Sequence, residues 1–360
     1  MKREPVKELR SGFTTGACAA AAAKAAVTVL LGRGKPEQVE IALPGFVSVT
    51  LPVSHTYDEG LWAVAEVIKD AGDDPDVTDG VTVKVSARLS DSPGVTINRG
   101  EGVGLVTKPG LAVEPGMPAI NPGPRKMIED SVRQLTEQGI ELIVSIPNGA
   151  EIAQNTFNPR LGIVGGLSIL GTTGIVKPFS CEAIRDTLEV SLNVASACKI
   201  IAPVLVPGRI GEKAARRLYE LSSEQLIEVG NEWGFLLDRI RDFPFKGILV
   251  VGHAGKLAKL PQGQWDTHSS RSVSAVPFVA DIAKSLFGLT LHDCITVEGL
   301  FKSLERRQAS ELAIEVARQI HDSVALRTKN KFEISVTIVD MSGEVSGAFG
   351  EQNYWKKNCS

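Results

Sequence analysis

Residues 11–31 read S-G-F-T-T-G-A-C-A-A-A-A-A-K-A-A-V-T-V-L-L, and this alanine-rich stretch predicts a helix over residues 17–31. Thr14 or Thr15 suits its N-cap, because a threonine hydroxyl can accept a hydrogen bond from a free N–H of the first turn. Basic residues upstream make the stretch resemble a signal peptide. However, Lys24 interrupts the apolar block, and no uncharged run is long enough to span a bilayer. We therefore expect a buried helix of a folded domain and no membrane segment.

The bulk composition is typical of a soluble globular protein of about two domains, since 43% of the 360 residues are hydrophobic and 22% are charged. The formal net charge of −3 disfavours a general nucleic-acid binder, because such proteins are usually basic. The five cysteines include no C-x-x-C pair, and the five histidines show no metal-ligand spacing. We expect a cytoplasmic protein with reduced thiols and without nucleic acid, membrane or protein-bound metal. A homo-oligomer is compatible with these numbers.

Residues 1–150 are predicted to form an α+β domain, because strands there follow one another directly. The expected strands are short apolar runs at residues 39–43, 47–53, 61–68, 81–89, 95–98 and 142–146. A helix is expected over residues 124–138. Residues 151–180 are rich in glycine and threonine and too long for an ordinary connection, so they predict a functional loop at a domain junction.

Residues 181–345 predict an α/β domain with a parallel, doubly wound sheet, because helices and buried strands alternate there. The expected helices cover residues 182–199, 212–221, 232–241, 274–287 and 298–326. The expected strands cover residues 200–206, 225–229, 247–251 and 331–339. Residues 346–360 are interpreted as a tail.

The motif Thr14-Thr15-Gly16 recurs as Thr172-Thr173-Gly174, inside a segment at 161–176 that contains five glycines. A helix N-terminus offers free N–H donors and a partial positive charge, so two such turns could hold two acidic groups of one ligand. An ordinary capped core helix and a glycine turn required by packing are the alternatives.

Two further glycine turns, P-G-R-I-G-E at 207–212 and G-H-A-G-K at 252–256, each stand between a predicted strand and a helix. Anion sites occur at this edge of a parallel sheet, and an acidic residue such as Glu228 at the end of a neighbouring strand can bind ribose hydroxyls. Neither turn has the spacing of a Walker loop. These turns predict a cofactor site made of Gly208, Gly211, Glu228, Gly252, His253, Gly255 and Lys256.

Three other segments each allow two interpretations. G-E-G-V-G at 100–104 resembles a dinucleotide-binding turn, but Pro109 excludes a helix after it, so a loop between strands is favoured. K-D-A-G-D-D-P-D-V-T-D-G at 69–80 suits either a cation or a turn capped by aspartates. His268, in D-T-H-S, suits acid–base work near neutral pH, although a lone histidine is often structural.

Taken together, these segments resemble the CbiD family of anaerobic cobalamin biosynthesis over most of the chain. The motifs that carry the resemblance are G-F-T-T-G-A-C-A-A-A-A-A-K-A-A (12–26), K-D-A-G-D-D-P-D-V-T-D-G (69–80), G-E-G-V-G-L-V-T-K-P-G-L (100–111), P-A-I-N-P-G-P-R (118–125), T-F-N-P-R-L-G-I-V-G-G-L-S-I-L-G-T-T-G-I-V (156–176) and V-G-H-A-G-K-L-A-K-L (251–260). One segment departs from the family pattern. T-H-S is followed by S-R-S-V-S-A-V-P where family members have an A-D-A-R-x-E-like run, which puts any role of that acidic and basic pair in doubt.

The resemblance implies methyl transfer from S-adenosylmethionine to ring carbon C1 of the corrinoid cobalt-precorrin-5B, which gives cobalt-precorrin-6A. Cobalt would arrive with the substrate and need no protein ligand, and transient contact with neighbouring pathway enzymes is expected. The macrocycle carries acidic groups, and the candidate donors for them are Thr14, Thr15, Gly16, Lys108, Arg125, Arg160, Thr172, Thr173 and Gly174. If a proton leaves during the reaction, His268 or Asp74 is the candidate base.

Two other functions stay open at this point. A non-catalytic carrier of tetrapyrrole intermediates would bind pigment without a methyl donor. A nucleotide- or phosphosugar-binding enzyme would use G-H-A-G-K for its anion.

Overall fold

A computed structural model describes residues 9–45, 47–290 and 294–358. The first eight residues of the predicted first domain and the last two of the predicted tail lie outside the described residues. The chain divides into two compact units, Met1–Ser180 and Cys181–Ser360, and each is described by itself.

The first unit is built of many short strands and a few helices. Its strands are β1 (Gly12–Phe13), β2 (Gln38–Leu43), β3 (Val47–Pro52), β4 (His55–Glu59), β5 (Trp62–Ile68), β6 (Thr82–Ser90), β7 (Val95–Arg99), β8 (Leu105–Val106), β9 (Gly139–Ser145), β10 (Ile163–Val164) and β11 (Ile175–Val176). Its helices are α1 (Thr15–Leu30), α2 (Pro122–Arg133), α3 (Gly149–Ala153) and α4 (Asn158–Leu161).

A five-stranded sheet with the order β4-β5-β6-β9-β7 forms the centre of this unit. Neighbouring strands are antiparallel except β7 and β9, which are parallel. Helix α1 packs against β5 and β6 and against α2, and its alanines are completely buried. Because alanine is small, a helix made of it can lie close to a sheet on one side and a helix on the other.

Lys24 is the charged residue of α1, and its side chain reaches polar partners at the edge of the core. Its Nζ donates to the carbonyl of Glu40 and to Oε1 of Gln134, each at 2.6 Å. Burial lowers the pKa of Lys24, and the charge of Glu40 partly opposes that shift.

The glycine-rich segment predicted as a junction belongs to the first unit. Strand β10 pairs with β8 and β11 pairs with β1, in both cases antiparallel. Between these strands, Leu167 and Ile169 are buried in the same core as α1. The segment therefore covers the N-terminus of α1.

The second unit alternates helices and strands. Its strands are β12 (Val204–Val206), β13 (Leu226–Glu228), β14 (Gly247–His253), β15 (Glu333–Val339) and β16 (Val345–Phe349). Its helices are α5 (Cys181–Ala197), α6 (Arg209–Leu218), α7 (Trp233–Arg239), α8 (Ala254–Leu257), α9 (Val276–Phe287), α10 (Val297–Lys302) and α11 (Arg306–Arg327).

These strands form one sheet with the order β13-β12-β14-β15-β16. The first four are parallel, so the predicted parallel sheet is confirmed, and β16 is antiparallel to β15. Leu205 and Val250 point into a core shared with α5, α7, α9 and α11. Val206 and Val251 point into the core on the opposite face, which includes α6.

Two stretches differ from the sequence-based description. The helix predicted over 298–326 is interrupted after Lys302 and begins again at Arg306, so it forms α10 and α11. Residues 346–349, interpreted as the start of a tail, belong to β16, which completes the sheet. Trp355, further along, is 3% exposed, and its Nε1 donates to the carbonyl of Ala202 at 3.1 Å.

Candidate functional site

The carboxyl ends of β12, β13 and β14 bring together most of the residues predicted to bind a cofactor. Strand β12 lies between β13 and β14, Glu228 ends β13, and Gly208 stands between β12 and α6. The helices that follow β12 and β13 pack on opposite faces of the sheet, and ligands of open α/β sheets bind in the crevice that forms at such a point. Lys256 reaches this crevice from α8, since its Nζ donates to the carbonyl of Pro207 at 3.2 Å.

Gly208 is required by its backbone torsions. Its φ of 155° and ψ of −164° lie in a region that is essentially restricted to glycine. Within the described residues, the nearest atom to a Cβ placed there would be Oε1 of Glu228, at 3.7 Å. The turn before α6 therefore lies against the carboxylate of Glu228.

A positive and a negative charge meet in this crevice. Burial lowers the pKa of Lys256, and the charge of Glu228 partly opposes that shift. A half-buried ammonium near a half-buried carboxylate is suited to orient a polar ligand, because both charges are partly removed from water.

Three of the predicted cofactor residues, Gly211, Gly252 and Gly255, have roles in the fold. A Cβ on Gly211 would lie 2.4 Å from the carbonyl oxygen of Val251, so glycine lets α6 approach β14 closely. A Cβ on Gly252 would lie 2.6 Å from the ring of Pro207. The N–H of Gly255 donates to Nδ1 of His253 at 3.0 Å.

His253 ends β14 and faces a cluster of charged side chains. Since its Nδ1 accepts from Gly255, the neutral ring carries its proton on Nε2, which donates to Oε2 of Glu298 at 3.1 Å. The other carboxylate oxygen of Glu298 lies 3.1 Å from Nζ of Lys302. Both oxygens of Glu298 are thus occupied.

A cavity of about 360 Å³ opens beside this cluster, at the carboxyl ends of β14 and β15. Its lining is mixed in polarity and includes His253, Ala254, Glu298, Phe301, Lys302, Arg306, Ala309, Ser310, Ile338, Val339, Asp340, Val345 and Ser346. Sequence reasoning missed Glu298, Arg306 and Asp340. The signal for Asp340 was present, because it directly follows the strand predicted over residues 331–339.

His268 lies in a well-anchored loop beside the end of β13. The hydroxyl of Thr267 donates to Oδ1 of Asn231 at 3.2 Å, and Nζ of Lys259 donates to the carbonyl of Thr267 at 3.1 Å. The Nδ1 atom of His268 is 2.8 Å from Oγ of Ser270 and also accepts from the N–H of Ser270 at 3.3 Å. In the segment that departs from the family pattern, Arg271 pairs with Asp266 at 2.5 Å.

The first T-T-G motif is buried and its polar groups are used inside the fold. The Oγ of Thr14 caps α1 by accepting from the N–H of Ala17 at 3.2 Å. The hydroxyl of Thr15 donates to the carbonyl of Ser168 at 3.1 Å and accepts from the N–H of Leu170 at 3.0 Å. Thr14 and Thr15 are 6% and 3% exposed.

The backbone around this motif is engaged in the same way. The N–H of Thr14 donates to the carbonyl of Gly174, and the N–H of Gly16 donates to the carbonyl of Leu170, both at 3.0 Å. The expectation that Thr14, Thr15 and Gly16 present donors to an anionic ligand is therefore corrected. Carbonyl groups within residues 168–174 accept these hydrogen bonds and occupy the position in which an anionic ligand would have to bind.

The second T-T-G motif has a different exposure. Thr172 and Thr173 are exposed, whereas Gly174 is buried and its carbonyl accepts from Thr14. Oγ1 of Thr173 accepts from the N–H of Ile175 at 3.3 Å, so the hydroxyl also supports its own turn. Thr172 and Thr173 are accessible to a ligand, and Gly174 is not.

The three predicted cations of the first unit lie in or beside its surface loops. The guanidinium of Arg160 stands over the ring of Phe157, with 5.4 Å from Cζ to the ring centroid. Lys108 passes close to Gly162, because a Cβ on that glycine would lie 2.4 Å from Cγ of the lysine. Arg125 belongs to the first turns of α2 and makes no ion pair within the described residues.

The aspartate-rich segment is a self-supporting turn. Lys69 is 2% exposed and donates from Nζ to Asp76 at 2.8 Å, and Arg10 pairs with Asp70. Asp74 accepts from the N–H of Phe179 at 2.9 Å through Oδ1. Across the described ranges no group of three or more His, Cys, Asp or Glu residues could hold a metal ion. The hydrogen bonds of its aspartates are those of a turn with capping side chains.

The G-E-G-V-G segment is a loop between β7 and β8, as favoured from the sequence. Gly102 has a φ of 67°, and a Cβ on it would lie 1.8 Å from the carbonyl oxygen of Ile146. Close packing of backbone, rather than a cofactor, therefore accounts for this glycine.

Among the helices of the described residues, none is long and apolar enough to cross a bilayer.

Comparison with known proteins gives one consistent family. The family model described as CbiD matches residues 2–178. A cobalt-precorrin-5B C(1)-methyltransferase of Syntrophotalea carbinolica is 47% identical over 348 residues, which cover 97% of this chain and 99% of that protein. A protein of the same name from Moorella thermoacetica is 47% identical and covers 77% of this chain and 76% of its own.

A more distant relative of the same name, from Methanocaldococcus jannaschii, is 39% identical over 95% of this chain and 97% of its own. Among solved structures, a cobalamin biosynthesis protein (cbiD) from Archaeoglobus fulgidus is 29% identical, with a TM-score of 0.39. That match covers 73% of this chain and 83% of the solved one.

Proposed function

This chain belongs to the CbiD family, and from that premise we infer that it is a methyltransferase of cobalamin biosynthesis. It transfers a methyl group from S-adenosylmethionine to C1 of cobalt-precorrin-5B and gives cobalt-precorrin-6A. The observation that carries this function is the nearly full-length match to relatives of that name. No observation on the described residues favours the non-catalytic carrier.

We place the methyl donor at the carboxyl edge of the second unit's sheet. Glu228 is positioned to accept hydrogen bonds from ribose hydroxyls, as acidic residues at strand ends do in related sheet architectures. Gly208 leaves the space beside it open, and Lys256 supplies a positive charge nearby. With helices on both faces of a parallel sheet, this edge is where the architecture provides an open crevice.

The corrinoid is assigned to the loop surface of the first unit. Arg125, Arg160 and Lys108 can meet carboxylates of the macrocycle, and Thr172 and Thr173 can add hydroxyl donors. This set no longer includes Thr14, Thr15, Gly16 and Gly174, because their polar groups form hydrogen bonds within the first unit.

The methyl transfer needs little chemical catalysis by side chains. The methyl group of a sulfonium is already activated, so alignment of the donor carbon with the ring carbon can supply much of the acceleration. Of the two candidate bases, His268 has its Nδ1 occupied by Ser270, so its neutral ring presents an N–H at Nε2. Asp74 keeps Oδ2 for a proton, since the bond from Phe179 falls on Oδ1. Of these two candidates we therefore propose Asp74 as the base.

The function is tested by incubating the protein with cobalt-precorrin-5B and S-adenosylmethionine carrying a labelled methyl group. We expect labelled cobalt-precorrin-6A by mass spectrometry. Copurified pigment without binding of S-adenosylhomocysteine would support the carrier instead. Thermal protection by ATP but not by S-adenosylhomocysteine would support a nucleotide enzyme.

The donor site is tested by Glu228→Gln. Loss of a hydrogen bond to a charged acceptor should weaken S-adenosylhomocysteine binding by roughly tenfold or more, measured by calorimetry. Glu220→Gln is the matched control, because Glu220 is a surface residue that pairs with Lys356. Equal affinities for the two variants would move the donor away from this edge.

A further inference from the structure

The cavity at the ends of β14 and β15 contains one negative and one positive side chain, Asp340 and Arg306, that form no ion pair within the described residues. Three hydrogen bonds to the side chain of Asp340, from the N–H and Oγ of Ser342 and the N–H of Glu344, all fall on Oδ1. The Oδ2 atom accepts none of these three bonds. Arg306, on the same cavity, makes no ion pair within that part of the chain.

The other charges of the cavity compensate each other. Glu298 is bonded to His253 through one oxygen and to Lys302 through the other, at 3.1 Å in each case. The groups left for a ligand are therefore a carboxylate at Asp340 and a guanidinium at Arg306.

Asp340 is charged at neutral pH. Burial opposes its ionisation, but the hydrogen bonds from Ser342 and from the backbone of Glu344 outweigh that effect and lower the pKa of Asp340. The side chain of Asp340 is half-buried, so its second carboxylate oxygen can exchange water for a cation or a donor of a ligand.

The charge pattern selects the class of ligand. A corrinoid periphery carries carboxylates only, and Asp340 would repel it. An α-amino acid carries an ammonium and a carboxylate on one carbon, so it can bind Asp340 and Arg306 together. Phe301 and Val345 on the same lining can contact an aliphatic chain.

We propose that this cavity binds the amino-acid end of the methyl donor, with the ammonium on Asp340 and the carboxylate on Arg306. The proposal rests on the proposed function, and it extends the donor site along the same sheet edge. The ribose end lies towards Glu228 on β13, and the methionyl end lies beyond His253 on β14. The sulfonium between them is then held over the carboxyl end of the sheet.

The test compares two probes, S-adenosylhomocysteine and 5′-methylthioadenosine, which lacks the amino-acid group. By calorimetry, the wild type should bind S-adenosylhomocysteine more tightly. Arg306→Gln and Asp340→Asn should each reduce this preference by roughly tenfold or more and leave 5′-methylthioadenosine binding unchanged. Asn at position 340 keeps an oxygen for the bonds from Ser342 and Glu344, so the turn is retained.

Arg307→Gln is the matched control, because Arg307 is the neighbouring residue, is exposed and pairs with Glu311 at 2.8 Å. The Arg307→Gln variant should prefer S-adenosylhomocysteine over 5′-methylthioadenosine as strongly as the wild type does. If the wild type binds S-adenosylhomocysteine and both cavity variants keep the preference, the assignment of this cavity is wrong while the function stands. If the wild type binds neither probe, the donor site and the proposed function fall together with it.

Discussion

Helices α1 and α6 begin in segments that look equally suited to an anion, yet they have opposite surroundings. At α1, the amides of Thr14 and Gly16 donate to carbonyls of residues 170 and 174, and both threonine hydroxyls are used. At α6, the turn at Gly208 has a carboxylate beside it and space for a ligand. One helix N-terminus is satisfied by carbonyl groups of the chain itself, whereas the other lies beside the carboxylate of Glu228, where we propose the methyl donor.

The difference shows that a local motif specifies donors but not whether they are available. Free N–H groups at a helix start must find partners, and any segment that covers them will serve. For α1 that segment lies about 155 residues away in sequence, as the pairing of Thr15 with Leu170 shows. Four measurements test how the N-termini of α1 and α6 differ.

The largest effect concerns two cysteines near helix N-termini, Cys18 in α1 and Cys181 at the start of α5. A helix N-terminus open to water lowers a thiol pKa, but burial raises the pKa of Cys18 to about 12. Since the thiolate is the reactive form, Cys18 should react with a maleimide or disulfide reagent at least about a thousandfold more slowly than the exposed Cys181.

Labelling is followed by peptide mass spectrometry at neutral pH, and denatured protein provides the control in which both sites react. Comparable rates in the native protein would mean that the start of α1 is open to solvent.

The next largest effect distinguishes the two T-T-G motifs by their contribution to the stability of α1. Thr14→Ala with Thr15→Ala removes an N-cap and two buried hydrogen bonds, so it should lower the free energy of opening of α1 by about 3 kcal/mol. Native-state hydrogen exchange of the α1 amides measures this change.

Thr172→Ala with Thr173→Ala is the matched control, because the same residue types are exposed there. It should change that free energy by less than about 0.5 kcal/mol. If the first pair left the α1 amides as protected as before and weakened corrinoid binding instead, the assignment of the two motifs would be reversed.

Much of the fold follows from local patterns. Helix α1 and the strands of the parallel sheet were predicted within a few residues, because alanine propensity and continuous apolar runs are properties of short windows. Gly208 and Glu228 lie at one edge of the sheet, as expected from the sequence, because the strand ends of a parallel sheet meet there.

What was missed depends on distant partners or on weak patterns. Strand β4, His55–Glu59, is a polar strand at the sheet edge, so its composition carries no apolar signal. Strand β16 contains Gly347, and the break between α10 and α11, at residues 303–305, contains neither proline nor glycine. The pairing of the two T-T-G motifs arises from tertiary contacts, which no window of sequence contains.

A smaller effect is expected at the open N-terminus. Lys256→Met removes a positive charge beside Glu228, and it should weaken S-adenosylhomocysteine binding by about tenfold. Stability should change little, because the lowered pKa of Lys256 indicates that its charge is costly to bury. Calorimetry and thermal unfolding measure the two quantities. Lys356→Met, at an exposed lysine that pairs with Glu220, is the control for general charge. Loss of stability without loss of affinity at Lys256 would make it a structural residue like Thr15.

The smallest effect is the pH dependence that the buried thiol imposes on folding. An unfolded cysteine ionises near 8.5, whereas the folded pKa of Cys18 is about 12, so its contribution to stability is complete below about pH 8 and is lost as pH rises. Between about pH 8 and pH 9.5, the wild type should lose about 1 kcal/mol of unfolding free energy relative to Cys18→Ala. Urea unfolding of both proteins measures the difference, and the remaining titrating groups cancel because they are shared. Parallel pH curves would show that Cys18 can ionise in the folded protein, which would open the N-terminus of α1 to water and remove its contrast with α6.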